Sequence, residues 1–278
     1  MTRSVPIREV AHLRLAMPAD DRWIENVDWV PVSASEIHLA SRYFPIAMRI
    51  ERQHRQLGLL VHPRYLVNAL LDASGNWRGA YRPIALRCFP FEAPGITDDP
   101  LTDILIDTDS RYLSPATGIT IVDATGRPDR RIVEMHRHFG LLERSRETFC
   151  GILDQYFIAG LLVPLATEDG GEPSLYVIDP GRFRQLDRPA LGAMARRSFL
   201  SVDIAVAWLF SLQALRPEHL PKQTSRSYAQ QFVSGSIEPD PVLMDDLSLV
   251  LDDGELISLT NIDIVQTERR TASLPVDA

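Results

Sequence analysis

Lysine is nearly absent from this chain. Of its 29 basic residues all but Lys222 are arginine, and 37 carboxylates outnumber them for a net charge of −8. Binding to a phosphate backbone depends on clustered cationic side chains that release counterions, so nucleic acid is excluded as a general partner. Arginine grips carboxylate and phosphate through two parallel bonds, which leaves room for one local basic pocket. Cysteine is also scarce. Cys88 and Cys150 stand far apart, without the paired spacing of a structural zinc site, and they make a poor disulfide scaffold. They are expected as two partly buried free thiols in a reducing compartment. No stretch approaches 18 uncharged apolar residues, so no membrane insertion is expected. The opening segment MTRSVPIREVAHLRLAMPADDRW carries no apolar core of signal-peptide length, and the expected location is cytoplasmic. Neither a Gly-x-Ser-x-Gly elbow nor a phosphate- or dinucleotide-binding glycine pattern occurs.

What remains is ordinary globular material. Hydrophobic residues make up 45% and charged residues 24% of 278 positions. A chain of this size buries roughly three quarters of its unfolded surface and needs no metal or disulfide to hold a core. Val30-Pro31-Val32 reads as a short extended piece, and Ser35 to Ala40 opens a brief helix that Phe44-Pro45 stops. Leu57 to Val61 and Tyr65 to Leu71 are apolar runs of strand type. Asp72 to Asn76 has turn chemistry, and Trp77 to Ile84 alternates as a return strand. Ile104 to Asp107 and Ile119 to Val122 continue the strands, the latter into the turn Asp123 to Gly126.

From Gly140 to Val163 apolar residues recur at helical spacing, with Pro164 as the stop. Leu175 to Ile178 is a strand, Pro189 starts a helix at Leu191, and Val202 to Leu215 makes another that ends at Pro217. Strands followed by helices predict an α+β fold, mainly an antiparallel sheet over roughly 46–180 packed by a few helices. The expected division is a domain over 1–217 and an extension over 218–278. In the extension, Leu247 to Leu251 and Glu255 to Leu259 flank the turn Asp252-Asp253-Gly254 as a small β-hairpin.

One string carries a family likeness. Gly75-Asn76-Trp77-Arg78-Gly79-Ala80-Tyr81-Arg82-Pro83, continuing through Leu86-Arg87-Cys88-Phe89-Pro90-Phe91, resembles the central signature of the SapC family. Upstream, Pro31, Glu36 and Tyr43-Phe44-Pro45-Ile46 are similar to its entry segment. Downstream, Ile106-Asp107, the Asp123 to Gly126 turn and the stretch from Ile178-Asp179 to Ser211-Leu212 are also similar. The likeness spans about residues 10–215. The family takes its name from genes associated with bacterial surface layers, so the resemblance implies an accessory role in an envelope or uptake pathway. It carries over no catalytic residue.

Candidate sites follow from residue chemistry. Trp77, Tyr81 and Arg87 combine aromatic surface with a fixed charge, the residue types that favour binding hot spots. On a strand, Trp77, Gly79 and Tyr81 would share one face with a slot at Gly79. The alternative is that both aromatics pack in the core while Arg87 satisfies a buried carboxylate. Glu134, His136 and His138 are the metal-like cluster. In an extended segment they would share a face as two histidines and a carboxylate, the donor set of non-haem iron; on a helix they would diverge. Asp107 and Asp109 read as loop-edge aspartates rather than an acid–base pair. Arg182, Arg184, Arg188, Arg196 and Arg197 offer an acidic partner a surface or compensate helix ends. Cys150 reads as a core position. The favoured function is binding of a peptide or protein partner through Trp77, Tyr81 and Arg87, with no cofactor. The alternative is a metal-dependent enzyme acting on a peptide side chain through Glu134, His136 and His138.

Overall fold

The computed structural model describes residues 4–221, except 17, 52–53, 80 and 166–173. The hairpin expected over 247–259 therefore lies outside the described residues. In chain order the strands are β1 (Ser4–Pro6), β2 (Arg14–Leu15), β3 (Trp29–Pro31), β4 (Ile46–Glu51), β5 (His54–Leu60), β6 (Leu105–Asp107), β7 (Leu113–Ser114), β8 (Ile119–Thr120), β9 (Leu162–Pro164) and β10 (Leu175–Ile178). The α-helices are α1 (Ile37–Ala40), α2 (Ile84–Arg87), α3 (Pro100–Asp103), α4 (Arg130–Ile158), α5 (Pro180–Arg184), α6 (Arg188–Arg197) and α7 (Leu200–Ser211).

The main sheet has five strands in the order β3-β5-β4-β10-β9, and every pairing in it is antiparallel. Two smaller sheets, β7-β2-β8 and β1-β6, join the N-terminal segment to residues 105–120. The α+β class is as the sequence predicts. The sheet begins earlier than position 46, because Trp29–Pro31 supplies an edge strand.

Helix α4 organises the packing. Asp129 caps it by accepting from the Arg131 N–H, and Ile132, Met135, Leu142, Phe149, Ile152, Leu153 and Tyr156 recur along its buried side, as a helical apolar stripe requires. Ile132 and Met135 belong to a smaller core with Ile7, Ile104 and Ile121, whereas Phe149 to Tyr156 join the main core with Leu59 and Ile178. One helix thus ties two cores together. It packs on β5, and α7 packs on β4 and β10. Tyr156 joins the two helices: its hydroxyl donates to the Ser201 carbonyl, and its ring lies 6.0 Å from that of Trp208.

Several expected boundaries move. The long helix starts at Arg130 rather than Gly140 and ends at Ile158, where Gly160 takes a φ of +65° that a side chain would disfavour. Tyr65 to Leu71 is not a strand. Its backbone runs in turns with two isolated bridges, Leu66 to Leu215 and Leu71 to Trp77, while Tyr65 and Leu66 sink into the structure. Trp77 to Ile84 is not a return strand either: pairing stops after the Leu71–Trp77 bridge and the Arg78 N–H bond to Leu70. Pro83, which has no N–H, then leads into α2. Beyond Pro217 the chain still packs, with the His219 ring 5.2 Å from that of Tyr65.

Candidate functional site

The signature segment is held by two carboxylates from the N-terminal region. The first is Asp21. Its Oδ2 accepts from the Trp77 N–H at 3.1 Å and from the Arg82 guanidinium at 2.5 Å, and its own N–H donates to the Gly75 carbonyl. Arg82 lies over the Trp77 ring at 5.1 Å, so charge and aromatic face act on the same loop. The Asp72 carboxylate closes the turn by accepting from the N–H groups of Ser74 and Asn76, and Gly75 takes the positive φ, +86°, that the turn needs.

The second is Glu36, a buried carboxylate. Ser33-x-x-Glu36 forms the return half of a capping box, with Glu36 Oε1 accepting from the Ser33 N–H at 3.1 Å. The other oxygen accepts from the Tyr81 hydroxyl at 2.5 Å and from the Ile84 N–H, at the start of α2, at 2.9 Å. Burial raises the Tyr81 hydroxyl pKa far above its ordinary range, and the bond to Glu36 adds to the rise. Tyr81 therefore stays a proton donor. Burial, reinforced by the Glu36 charge, pushes the neighbouring Cys88 thiol up to about 12. A thiol that stays protonated at neutral pH is a packing group rather than a nucleophile.

Trp77 and Tyr81 do come together, but not across a slot. Both pack around Phe44, at ring distances of 6.2 and 6.3 Å, and the Trp77 indole donates to the Tyr81 carbonyl. A Cβ on the exposed Gly79 would sit 3.0 Å from the Trp77 nitrogen, so no space between two rings exists there. Arg87 is exposed and donates to the Arg82 carbonyl. Arg82, not Arg87, pairs with a carboxylate. The thiols differ too: Cys88 is buried, while Cys150 is exposed on α4 and not a core position.

Glu134, His136 and His138 all lie on α4, so residues two apart point apart and the shared face of an extended segment is not formed. His136 turns to Asp103 on α3 at 2.7 Å. Burial lowers the pKa of His138, with Glu134 opposing and the Arg87 charge adding to the fall. Among the described residues no group of three or more His, Cys, Asp or Glu is arranged to hold a metal ion.

The Asp103–His136 pair fastens α3 to α4 and carries a pH dependence. Burial alone would raise the Asp103 carboxyl, but hydrogen bonds from His136 and Thr97 outweigh it and hold the carboxyl below 3.8. A depressed folded-state value contributes stability that is complete above the unfolded value and lost as pH falls through the folded one. Asp103→Asn is expected to cost about 1–2 kcal/mol at pH 7. It should also flatten the decline of stability below about pH 4, as measured by urea denaturation across pH.

A cavity borders the C-terminal part of the signature segment. It is a cleft of about 680 Å3, within the roughly 300–1,000 Å3 usual for ligand sites. One wall is Ala85, Leu86, Phe89 and Phe91 from the signature; the facing wall is Phe139, Leu142 and Phe149 of α4. The strand stretch Trp29 to Val32 forms the floor, and Trp23 closes one end by stacking on Phe89 at 3.6 Å with 6° between the planes. At the rim Arg49 lies over the Trp29 ring at 4.3 Å and pairs with Glu51 at 2.7 Å, while Arg146 pairs with Glu143. The indole N–H of Trp23 and the Nε of Arg49 are buried and have no partner among the described residues. A smaller cleft of about 310 Å3, with His54, Cys150 and Asp154, continues from it through shared Gln56 and Arg146.

Trp77, Tyr81 and Arg87 do not line either cleft. Reading the sequence missed Phe89 and Phe91 as cleft residues, although both sit in the quoted signature. The SapC family model matches residues 8–217 of the chain. The chain belongs to the SapC family. No curated protein and no solved structure matches it. The matched SapC region contains every wall of the larger cleft and both carboxylates that hold the signature segment. No helix among the described residues is long and apolar enough to cross a membrane.

Proposed function

We propose that this SapC protein is a cytoplasmic accessory protein that binds a peptide, or a segment of a protein partner, in an envelope or uptake pathway, and that the aromatic cleft is where it binds. The observation that supports this most directly is a cleft of about 680 Å3 lined by Phe89, Phe91, Phe139 and Phe149 together with the polar side chains of Arg49, Gln56 and Arg146. Apolar walls with a few placed polar groups are the usual composition of a binding site. In this reading Trp77 and Tyr81 set the position of the wall, and Arg87 stands at its outer side. The free buried thiol of Cys88 fits a reducing compartment. Residues 1–217 are proposed as the binding unit and 218–278 as an extension of it, whose first residues pack on that unit through His219 and Tyr65.

Peptides selected from a random 12-residue display library against the whole chain provide the test. Ala85 lines the cleft from the short helix α2, is only partly buried and packs at the margin of the main core, so Ala85→Trp is expected to place its ring in the cleft. Affinity for the selected peptides is expected to fall at least about tenfold with an unchanged melting temperature. Equal affinity in the folded variant would overturn the assignment of the cleft. Arg87→Ala, which removes an exposed charge outside the cleft, is expected to change affinity by less than about threefold.

A further inference from the structure

We infer that the occupant of the cleft is an extended polypeptide that pairs with β3 as a sixth strand of the main sheet, an inference that rests on the cleft being the binding site. Among the described residues β3 is a terminal strand: β5 pairs with one side of it, no described strand pairs with the other, and the short helix α2 packs nearby. The bonds from Val61 N–H to the Asp28 carbonyl and from Val32 N–H to the Leu57 carbonyl bracket its ladder. In an antiparallel pair the bonded positions alternate, so Asp28, Val30 and Val32 face β5. The N–H and carbonyl of Trp29 and the carbonyl of Pro31 then point off the open edge.

The cleft takes in that edge and reaches on to Gln56 and Leu57 of β5 and to Arg49 and Glu51 of β4. Trp29, Val30, Pro31 and Val32 all line it, yet successive side chains of a strand point to opposite faces of the sheet. Four consecutive residues can share one cleft only along the edge between those faces. An exposed edge is ordinarily blunted by proline, by charge or by a covering element. Here Pro31 removes one donor and leaves its carbonyl, so the edge offers one N–H and two carbonyls two residues apart. A polypeptide supplies groups at that spacing; a compact small molecule does not. The rim points the same way. Arg49 and Arg146 are already paired with Glu51 and Glu143, so little net charge is left to select a strongly ionic ligand. Main-chain bonds would then give affinity and the aromatic walls would choose side chains, which is the division of labour in strand addition.

An N-methyl scan of the best library-selected peptide tests this on the whole chain. Methylation should weaken binding at least about tenfold at two positions two residues apart, those donating to Trp29 and Pro31, and by less than about threefold at the residue between them. Pro31→Ala restores the missing edge donor and should tighten binding about 2- to 10-fold. The Trp29 amide should gain protection from hydrogen exchange when the peptide binds. If Ala85→Trp abolishes binding but no alternating methylation pattern appears, strand pairing is overturned and the cleft assignment stands. If no peptide binds the native protein better than Ala85→Trp, both fall. A concentration-dependent dimer in sedimentation that Ala85→Trp dissociates would give the edge to a second copy of the chain and overturn the proposal.

Discussion

Replacing Glu36 with alanine is expected to destabilise the protein by about 4 kcal/mol, because three buried donors lose their acceptor at once. The Ser33 N–H, the Ile84 N–H and the Tyr81 hydroxyl all end on this carboxylate, and each unpaired buried donor costs about 1–3 kcal/mol. The three do not add in full, since neighbouring groups relax together. Urea denaturation of the variant measures the loss. The cause is checked by Tyr81→Phe, which alone leaves the carboxylate one donor short and should cost about 1.5–3 kcal/mol. In the Glu36→Ala background the same change removes an orphaned hydroxyl, so its cost should fall towards zero. Additive costs would mean that the Tyr81–Glu36 bond contributes nothing to stability.

That network also shows how far sequence reasoning reaches. Glu36 and Tyr81 both stand in segments that carry the family likeness, 45 residues apart, but only the fold joins them. Local chemistry is read well: the Asp72 to Asn76 turn is closed by its own aspartate, and Leu175 to Ile178 is a strand as the apolar run predicts. Misreadings come where tertiary contacts override pattern. Tyr65 to Leu71 has strand composition but spends its backbone bonds on turns, on residues 214–216 and on the start of the signature at Trp77 and Arg78. The first ten residues of α4 are rich in charge and bury only Ile132, Met135 and little else, too sparse a stripe to announce a helix. That is also why Glu134, His136 and His138 remained open to an extended reading. The cleft is illegible for a different reason. Its surfaces come from residues 23–32, 49–57, 85–94 and 139–149, and no spacing in the chain links those stretches.

The floor of that cleft rests on a residue that attracts no notice in the sequence. Gly58 sits in the middle of β5, paired with Pro31 on one side and Ala47 on the other. The Trp29 side chain crosses the sheet above it, and its indole N–H donates to the Ala47 carbonyl at 3.0 Å. A Cβ at Gly58 would lie 2.2 Å from the Val30 carbonyl oxygen and 2.3 Å from the Trp29 ring. Neither can yield cheaply, since one is backbone and the other is a buried ring. Gly58→Ala is therefore expected to cost about 3 kcal/mol or more and to push β3 away from β5. The Trp29 indole would lose its bond, and the cleft would lose its floor. Tryptophan fluorescence should shift to the red at pH 7 in the absence of urea, and affinity for the library-selected peptides should drop at least about tenfold. In a Trp29→Ala background the ring clash is gone while the Val30 clash persists, so the cost of Gly58→Ala should shrink by about 1–2 kcal/mol without vanishing. Full additivity of the two substitutions would show that the ring does not bear on Gly58, and β3 would then be held to the sheet by its ladder alone.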